Sequence, residues 1–135
     1  MALPDWALPL VSPLDQKMGI TLTELTPERV CGTMPVDGNQ QPFGLLHGGA
    51  NGVLIESLAS MGAYAHGRPQ GRAGVGVDLT VTHVRSARDG VVSGVATALH
   101  LGGRLAVYEV KITDERGRLT ATGRLTCQMI DLPEP

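Results

Sequence analysis

Between Gln40 and Ser60 the chain reads QQPFGLLHGGANGVLIESLAS, and four residue types in that stretch could do chemistry. Glu56 is a single acid inside an otherwise apolar, helix-patterned segment. A carboxylate there is costly unless it has a partner or a function. The plainer alternative is a helix acid that reaches solvent or pairs with an arginine. Ser60 follows one helical turn later on the same face, placed to hold Glu56 or a water by hydrogen bonding. At the other end, His47-Gly48-Gly49 opens the helical pattern. A helix start poor in side chains aims bare backbone N–H groups at a ligand oxygen, with the helix dipole behind them. Gly48 N–H is thus a candidate donor to an oxyanion, and His47 either adds a second donor or simply caps the helix. Gln41, Pro42, Phe43 and Gly44 form a turn-like lead-in. The combination points to chemistry at an ester or thioester carbonyl.

Spacing then makes a demand. Gly48 and Glu56 are eight residues apart, or about 12 Å along one helix. They cannot both touch one carbonyl group. If both serve one reaction, each comes from a different subunit, and the sequence expects a dimer with shared sites and antiparallel helices.

Two further segments carry donors. His83, Val84, Arg85, Ser86, Ala87 and Arg88 end a strand pattern, and His100, Leu101, Gly102, Gly103 and Arg104 form a glycine turn before Leu105. A charged strand end and a plain hairpin are the ordinary readings. Arg85, Arg88 and Arg104, with the glycine N–H groups, are also of the right type to hold phosphates. There is no P-loop and no dinucleotide fingerprint.

The elements that must position these residues follow from patterning. The 135 residues suit one domain, expected to span residues 1–135 with an N-terminal arm over 1–13 packed by Trp6 and Leu8. Leu14 to Met18 suits one helical turn. Ile20 to Leu25 and Arg29 to Val36 read as two strands. Residues 48–65 are the one long helical candidate, apolar almost all round and therefore expected to be buried on all sides. Its glycines imply close approach of another backbone. Four strands follow: Val75–Val81, with Val75, Val77, Leu79 and Val81 on one face; Val91–Leu101; Leu105–Thr113; and Leu119–Met129. Short turns between them predict an antiparallel meander. The class is α+β: one long helix held by a curved antiparallel sheet.

Composition excludes several functions. Net charge is −2 and four aromatic residues are scattered along the chain, so neither a basic stripe nor a stacking platform for nucleic acid is present. Cys31 and Cys127 lack metal-site spacing and read as reduced thiols. Pro4, Pro9 and Pro13 break any apolar run near the start, so no signal peptide or membrane span is expected, and the cytoplasm is the default location.

QPFGLLHGGANGVLIES, with THVRSAR, LHLGGR and DERGRLTATGRLT, resembles the hotdog-fold acyl-CoA thioesterases of the PaaI-like type, over about Met18 to Met129. The likeness is to the branch that includes 1,4-dihydroxy-2-naphthoyl-CoA hydrolase and the enterobactin-pathway proofreading thioesterase. The 4-hydroxybenzoyl-CoA thioesterase of the Arthrobacter type shares the helix motif. The resemblance implies a hotdog fold and hydrolysis of an aryl- or acyl-CoA, with Glu56 as nucleophile or general base and Gly48 as oxyanion donor. It implies that Gln41 and His47 line the thioester, Ser60 positions water, and His83 sits in the pocket beside the substrate. Gly76, the segment His83–Ser86 and the turn His100–Leu105 would contact CoA. A homotetramer built as a dimer of dimers is implied; a cofactor or metal is not. Thr82 stands where relatives often carry Asn, and Gly103 where a serine is common. The rival readings are a hotdog hydratase or dehydratase and a non-catalytic acyl-CoA-binding protein.

Overall fold

The computed structural model describes residues 3–133. The first two residues of the expected arm lie outside them. The rest of that arm forms a 3-10 turn, Asp5–Ala7, and then helix α1, Pro13–Met18. Ser12 caps α1 by accepting from Asp15 N–H, and Gly19, in the left-handed region, ends it. Trp6 packs edge-on against Tyr64 at 5.5 Å, and the Arg68 guanidinium lies 4.7 Å over its ring. Leu8, expected to help pack the arm, is instead exposed. Trp6, whose ring reaches the far end of the long helix, anchors the arm together with buried Ala7 and with Leu3, which packs against the core.

That helix, α2, runs Gly48–Gly67. The six strands are β1 Thr21–Leu25, β2 Arg29–Pro35, β3 Arg72–His83, β4 Val91–Leu101, β5 Leu105–Thr113 and β6 Leu119–Asp131. All pair antiparallel, in the order β1-β2-β4-β5-β6-β3. Only β4, β5 and β6 form the expected meander. β3 crosses over to pair with β6 and becomes a sheet edge, so the four-strand meander is corrected. The stretch 84–90 between β3 and β4 is no tight turn: Val84 and Arg85 N–H go to Thr120 C=O of β6.

The sheet curves around α2. Leu58 inserts between β2 and β4, where a methyl at Gly32 or Gly94 would lie 2.7 Å from its δ carbons. Gly62 opposes the Tyr108 ring in the same way, at 2.7 Å. Leu54, Ile55 and Leu58 are fully buried, each contributing about 1.5–3 kcal/mol. Tyr108, also fully buried, donates its hydroxyl to Pro27 C=O at 2.6 Å, so the polar end of the core is satisfied.

Two expectations of burial fail. The helix is not covered all round: Gly49 and Glu56 are exposed and Val53 and Ser60 half-buried, all on one stripe. In β3 a bulge at Gly76/Asp78 shifts the register. Gly74 and Gly76 face the helix before it, and Leu79, Val81 and His83 after it. Val75 and Val77 therefore point away and are exposed, at 47% and 57%. A single sheet wraps only part of a helix, and the edge strand marks where that cover stops.

Candidate active site

At the N-terminus of α2 lies a cleft of about 460 Å³, lined by Gln41, Gly48, Asn51, His83, Arg85 and Ser86 among others. Three separate segments build it. The loop 37–46 is fastened by Asn39, whose amide donates to Met18 and Pro35 carbonyls at 2.7 and 2.8 Å. Leu46 N–H donates to Ala87 C=O at 2.8 Å, tying that loop to the segment after β3. Val84 and Arg85 N–H both reach Thr120 C=O, which holds the His83–Ser86 segment against β6.

Each donor in the cleft has a defined state. Gln41 Oε1 accepts from Phe43 N–H at 2.6 Å and Leu45 N–H at 3.2 Å. A backbone N–H can only meet the oxygen, so the amide orientation is fixed and its N–H groups remain for a ligand. His47 is the N-cap; its Nδ1 accepts from Gly49 N–H at 2.8 Å. The ordinary capping reading thus holds, and His47 stands beside the cleft wall, not in it. Ala50 and Asn51 N–H both reach His47 C=O. Of the first four helical N–H groups, Gly48's is the one with no partner among the described residues.

Asn51 was not singled out by sequence reasoning. It is 5% exposed, its Nδ2 lies 3.1 Å from His83 Nδ1, and its Oδ1 has no partner. The signal was available: a carboxamide in an apolar helix poses the same question as Glu56.

Glu56 lies two turns further along, exposed, with its carboxylate set over β3. A methyl at Gly76 would sit 2.5 Å from Glu56 Oε2. Ser60 lies one turn beyond, its hydroxyl against the Cys127 thiol instead of Glu56. Burial, and then the Glu56 charge, push the Cys127 thiol up to about 11, with the Ser60 hydroxyl acting the other way. Cys127 is therefore a buried, protonated neighbour, not a nucleophile.

The predicted binding residues separate into three places. Arg85 and Ser86 also line an adjoining cleft of about 520 Å³ with Arg88, Arg116 and Arg118. There Asp114 accepts from the backbone N–H of Arg118 and Arg116 and from the Arg118 side chain at 2.8 Å. Those bonds, the Arg118 N–H first, hold its carboxyl below the usual range. The turn His100–Leu105 lies at the opposite end of α2. His66 bonds Gly102 C=O at 2.8 Å, and Arg72 bonds Gly103 C=O. His66 is 18 residues after Gly48, about 27 Å of helical rise. One chain therefore brings Gln41, Gly48 and His83–Ser86 together, Glu56 with Gly76 and Ser60 apart from them, and His100, Leu101, Gly102, Gly103, Arg104 and Leu105 at a third place. Arg104 cannot share a phosphate with Arg85 and Arg88 of its own chain.

A single helix in a curved six-stranded antiparallel sheet, with an uncapped N–H over a cleft, is a constellation that can be compared directly. The family model of the thioesterase superfamily matches residues 43–121. The chain belongs to the thioesterase superfamily. Its fold is the hotdog fold, and it is a thioester hydrolase. It is 48% identical over 99 residues to the 1,4-dihydroxy-2-naphthoyl-CoA hydrolase of Escherichia coli, covering 73% of this chain and 72% of that protein. Proofreading thioesterase EntH of Cronobacter turicensis is 43% identical over 117 residues, 86% of this chain and 85% of that one. The crystal structure of thioesterase PA1618 from Pseudomonas aeruginosa, a mutant, superposes with a TM-score of 0.84 at 36% identity, covering 88% and 86% of the two chains. Among the described residues, no helix of this thioesterase is long and apolar enough to cross a membrane.

Proposed function

We propose that this thioesterase hydrolyses aryl- or acyl-CoA thioesters in sites shared between two subunits. The observation that carries the reading is the separation along α2. Gly48 N–H is unpartnered at a cleft, while Glu56 stands about 12 Å away on the stripe that the sheet leaves open. A second copy laid antiparallel on that stripe would set its Glu56 against this chain's Gly48. The exposed edge strand β3, with Val75, Val77 and Leu79 open at 40% or more, supports such a contact, since an uncovered apolar edge invites pairing. Pairing of dimers into a tetramer, a cytoplasmic location and a single catalytic domain over residues 1–135 belong to the same reading.

In the proposed reaction the thioester oxygen lies at Gly48 N–H, with Gln41 N–H and His83 nearby. The partner's Glu56 carboxylate either adds to the carbonyl carbon or takes a proton from an attacking water. The C–S bond then breaks and the CoA thiolate leaves without a strong general acid. In the first route water cleaves the resulting mixed anhydride. Gly48 N–H stabilises the negative oxygen in both. Ser60, on the far side of Glu56 from the strand end, is the candidate to order the water. Arg85 and Arg88, which meet at the adjoining cleft, are the candidates for the CoA phosphates, with the partner copies' His100–Leu105 turn as a further contact.

Thiol release from aryl, short, medium and long acyl-CoA esters tests this. Glu56→Gln should lower kcat by about a thousandfold; near-parent turnover sinks the mechanism. Sharing is tested by mixing two dead variants, Glu56→Gln and Gly48→Pro. Proline is tolerated at the first helical position; it removes the free N–H and also presses on His83 Nε2, 2.9 Å from a Cβ at that position, so both losses fall on the Gly48 half of the site. Random dimers would regain about a quarter of parent activity, whereas sites built within one chain would regain none.

A further inference from the structure

We propose that Asn51 is a positioning residue that fixes the tautomer and angle of His83, so that His83 Nε2–H joins Gly48 N–H as a second donor to the thioester oxygen. The proposal rests on reading the cleft as the thioester site. Its own evidence is the geometry of three groups. The His83 imidazole spans the start of α2. Its Nδ1 is 3.1 Å from Asn51 Nδ2, and its Nε2 is 2.9 Å from where a methyl at Gly48 would sit. Asn51 is held in place by burial, at 5% exposure.

The amide orientation follows from which groups are orphaned. With Nδ2 donating to a bare Nδ1, Oδ1 and the second Nδ2 N–H lack a partner. Turned over, Oδ1 would accept from Nδ1–H, and both N–H donors of the amide would be stranded instead. The numbers are equal, but orphaned N–H donors are rarer in proteins than under-satisfied oxygens, which favours the first orientation. It leaves the proton of the neutral imidazole on Nε2, facing Gly48. A carbonyl oxygen in the cleft then meets two converging donors, one from the helix start and one from the end of β3. Neither the Gly48 N–H nor an aliphatic residue at position 51 could set that tautomer.

Nitrogen NMR of the histidine-labelled full-length protein reads the state of His83 directly, with a His83→Gln spectrum for assignment. The parent should show a bare Nδ1 and a protonated Nε2. Asn51→Asp keeps the side-chain volume but can only accept, so it should move the proton to Nδ1. Asn51→Ala should give a mixture of tautomers. In benzoyl-CoA hydrolysis both variants should lower kcat roughly tenfold to a hundredfold, less than loss of a whole oxyanion donor, with KM within about threefold. A proton on Nδ1 in the parent overturns the proposal. So does an Asn51→Ala protein with the parent's tautomer and kcat. If the parent released no thiol from any CoA ester, the functional reading would fall, while the parent's spectrum would still decide the Asn51–His83 assignment.

Discussion

Gly76→Ala tests the site through a single methyl group. Position 76 lies in β3, just before the bulge, and pairs with Cys127 of β6. Its backbone is outside the left-handed region, so alanine fits the main chain without strain and should leave the strand at least as stable. The conflict is with Glu56. The new carbon would stand 2.5 Å from Oε2 and 3.1 Å from a Leu125 methyl. Ordinary contact begins near 3.4 Å, so the carboxylate must retreat by about 1 Å, and a shift of that size in a reacting group costs about a hundredfold in rate. Leu125, fully buried, needs to give by only a few tenths of an ångström, so most of the displacement falls on Glu56. The assay is steady-state thiol release with the best CoA ester, alongside thermal unfolding and a mass measurement. kcat should fall about a hundredfold, with Tm and oligomer mass unchanged. If Gly76→Ala keeps kcat within threefold, the placement of Glu56 over β3 is not what catalysis uses, and the argument from its geometry fails.

Gly48→Ala should press on His83 Nε2 at 2.9 Å and turn the imidazole off Asn51, lowering kcat about tenfold or more with little change in KM; parent-like kinetics would refute that contact. Tyr108→Phe strands the Pro27 carbonyl that now accepts at 2.6 Å, so urea unfolding should show a loss of about 1–3 kcal/mol while kcat holds. Cys127 sets a pH dependence. Its thiol pKa is raised in the folded state, so the native protein holds that proton more tightly than the unfolded chain does. The stabilisation is complete below about pH 9 and is lost as pH rises through about 11. Tm should therefore fall across that window, and Cys127→Ala should flatten the fall. Tyr108, also raised by burial, acts in the same direction, so some slope should persist.

The candidate groups and the elements that carry them were legible because each rests on local chemistry. Apolar periodicity located α2, β4, β5 and β6, and short glycine turns marked their ends. Gly48 and Glu56 stood out as a bare helix start and an isolated acid, and the helical rise between them is a property of the sequence alone. The motif from Gln41 to Ser60 carried the family likeness. What the sequence left undetermined depended on contacts between distant segments. Pairing of β3 with β6 joins segments as far apart as Arg72 and Asp131, which the order of turns does not show. The bulge at Gly76/Asp78 reverses the faces of Val75 and Val77, because one extra residue inverts a period of two. The open stripe on α2 exists because one sheet edge ends there, which no helical wheel shows. Asn51 and His83 are 32 residues apart, and only the tertiary fold brings that amide to that imidazole. The chain's own residues thus determined which groups could do chemistry; the sheet's curvature and its unpaired edge decided which of them meet within one chain and which lie apart.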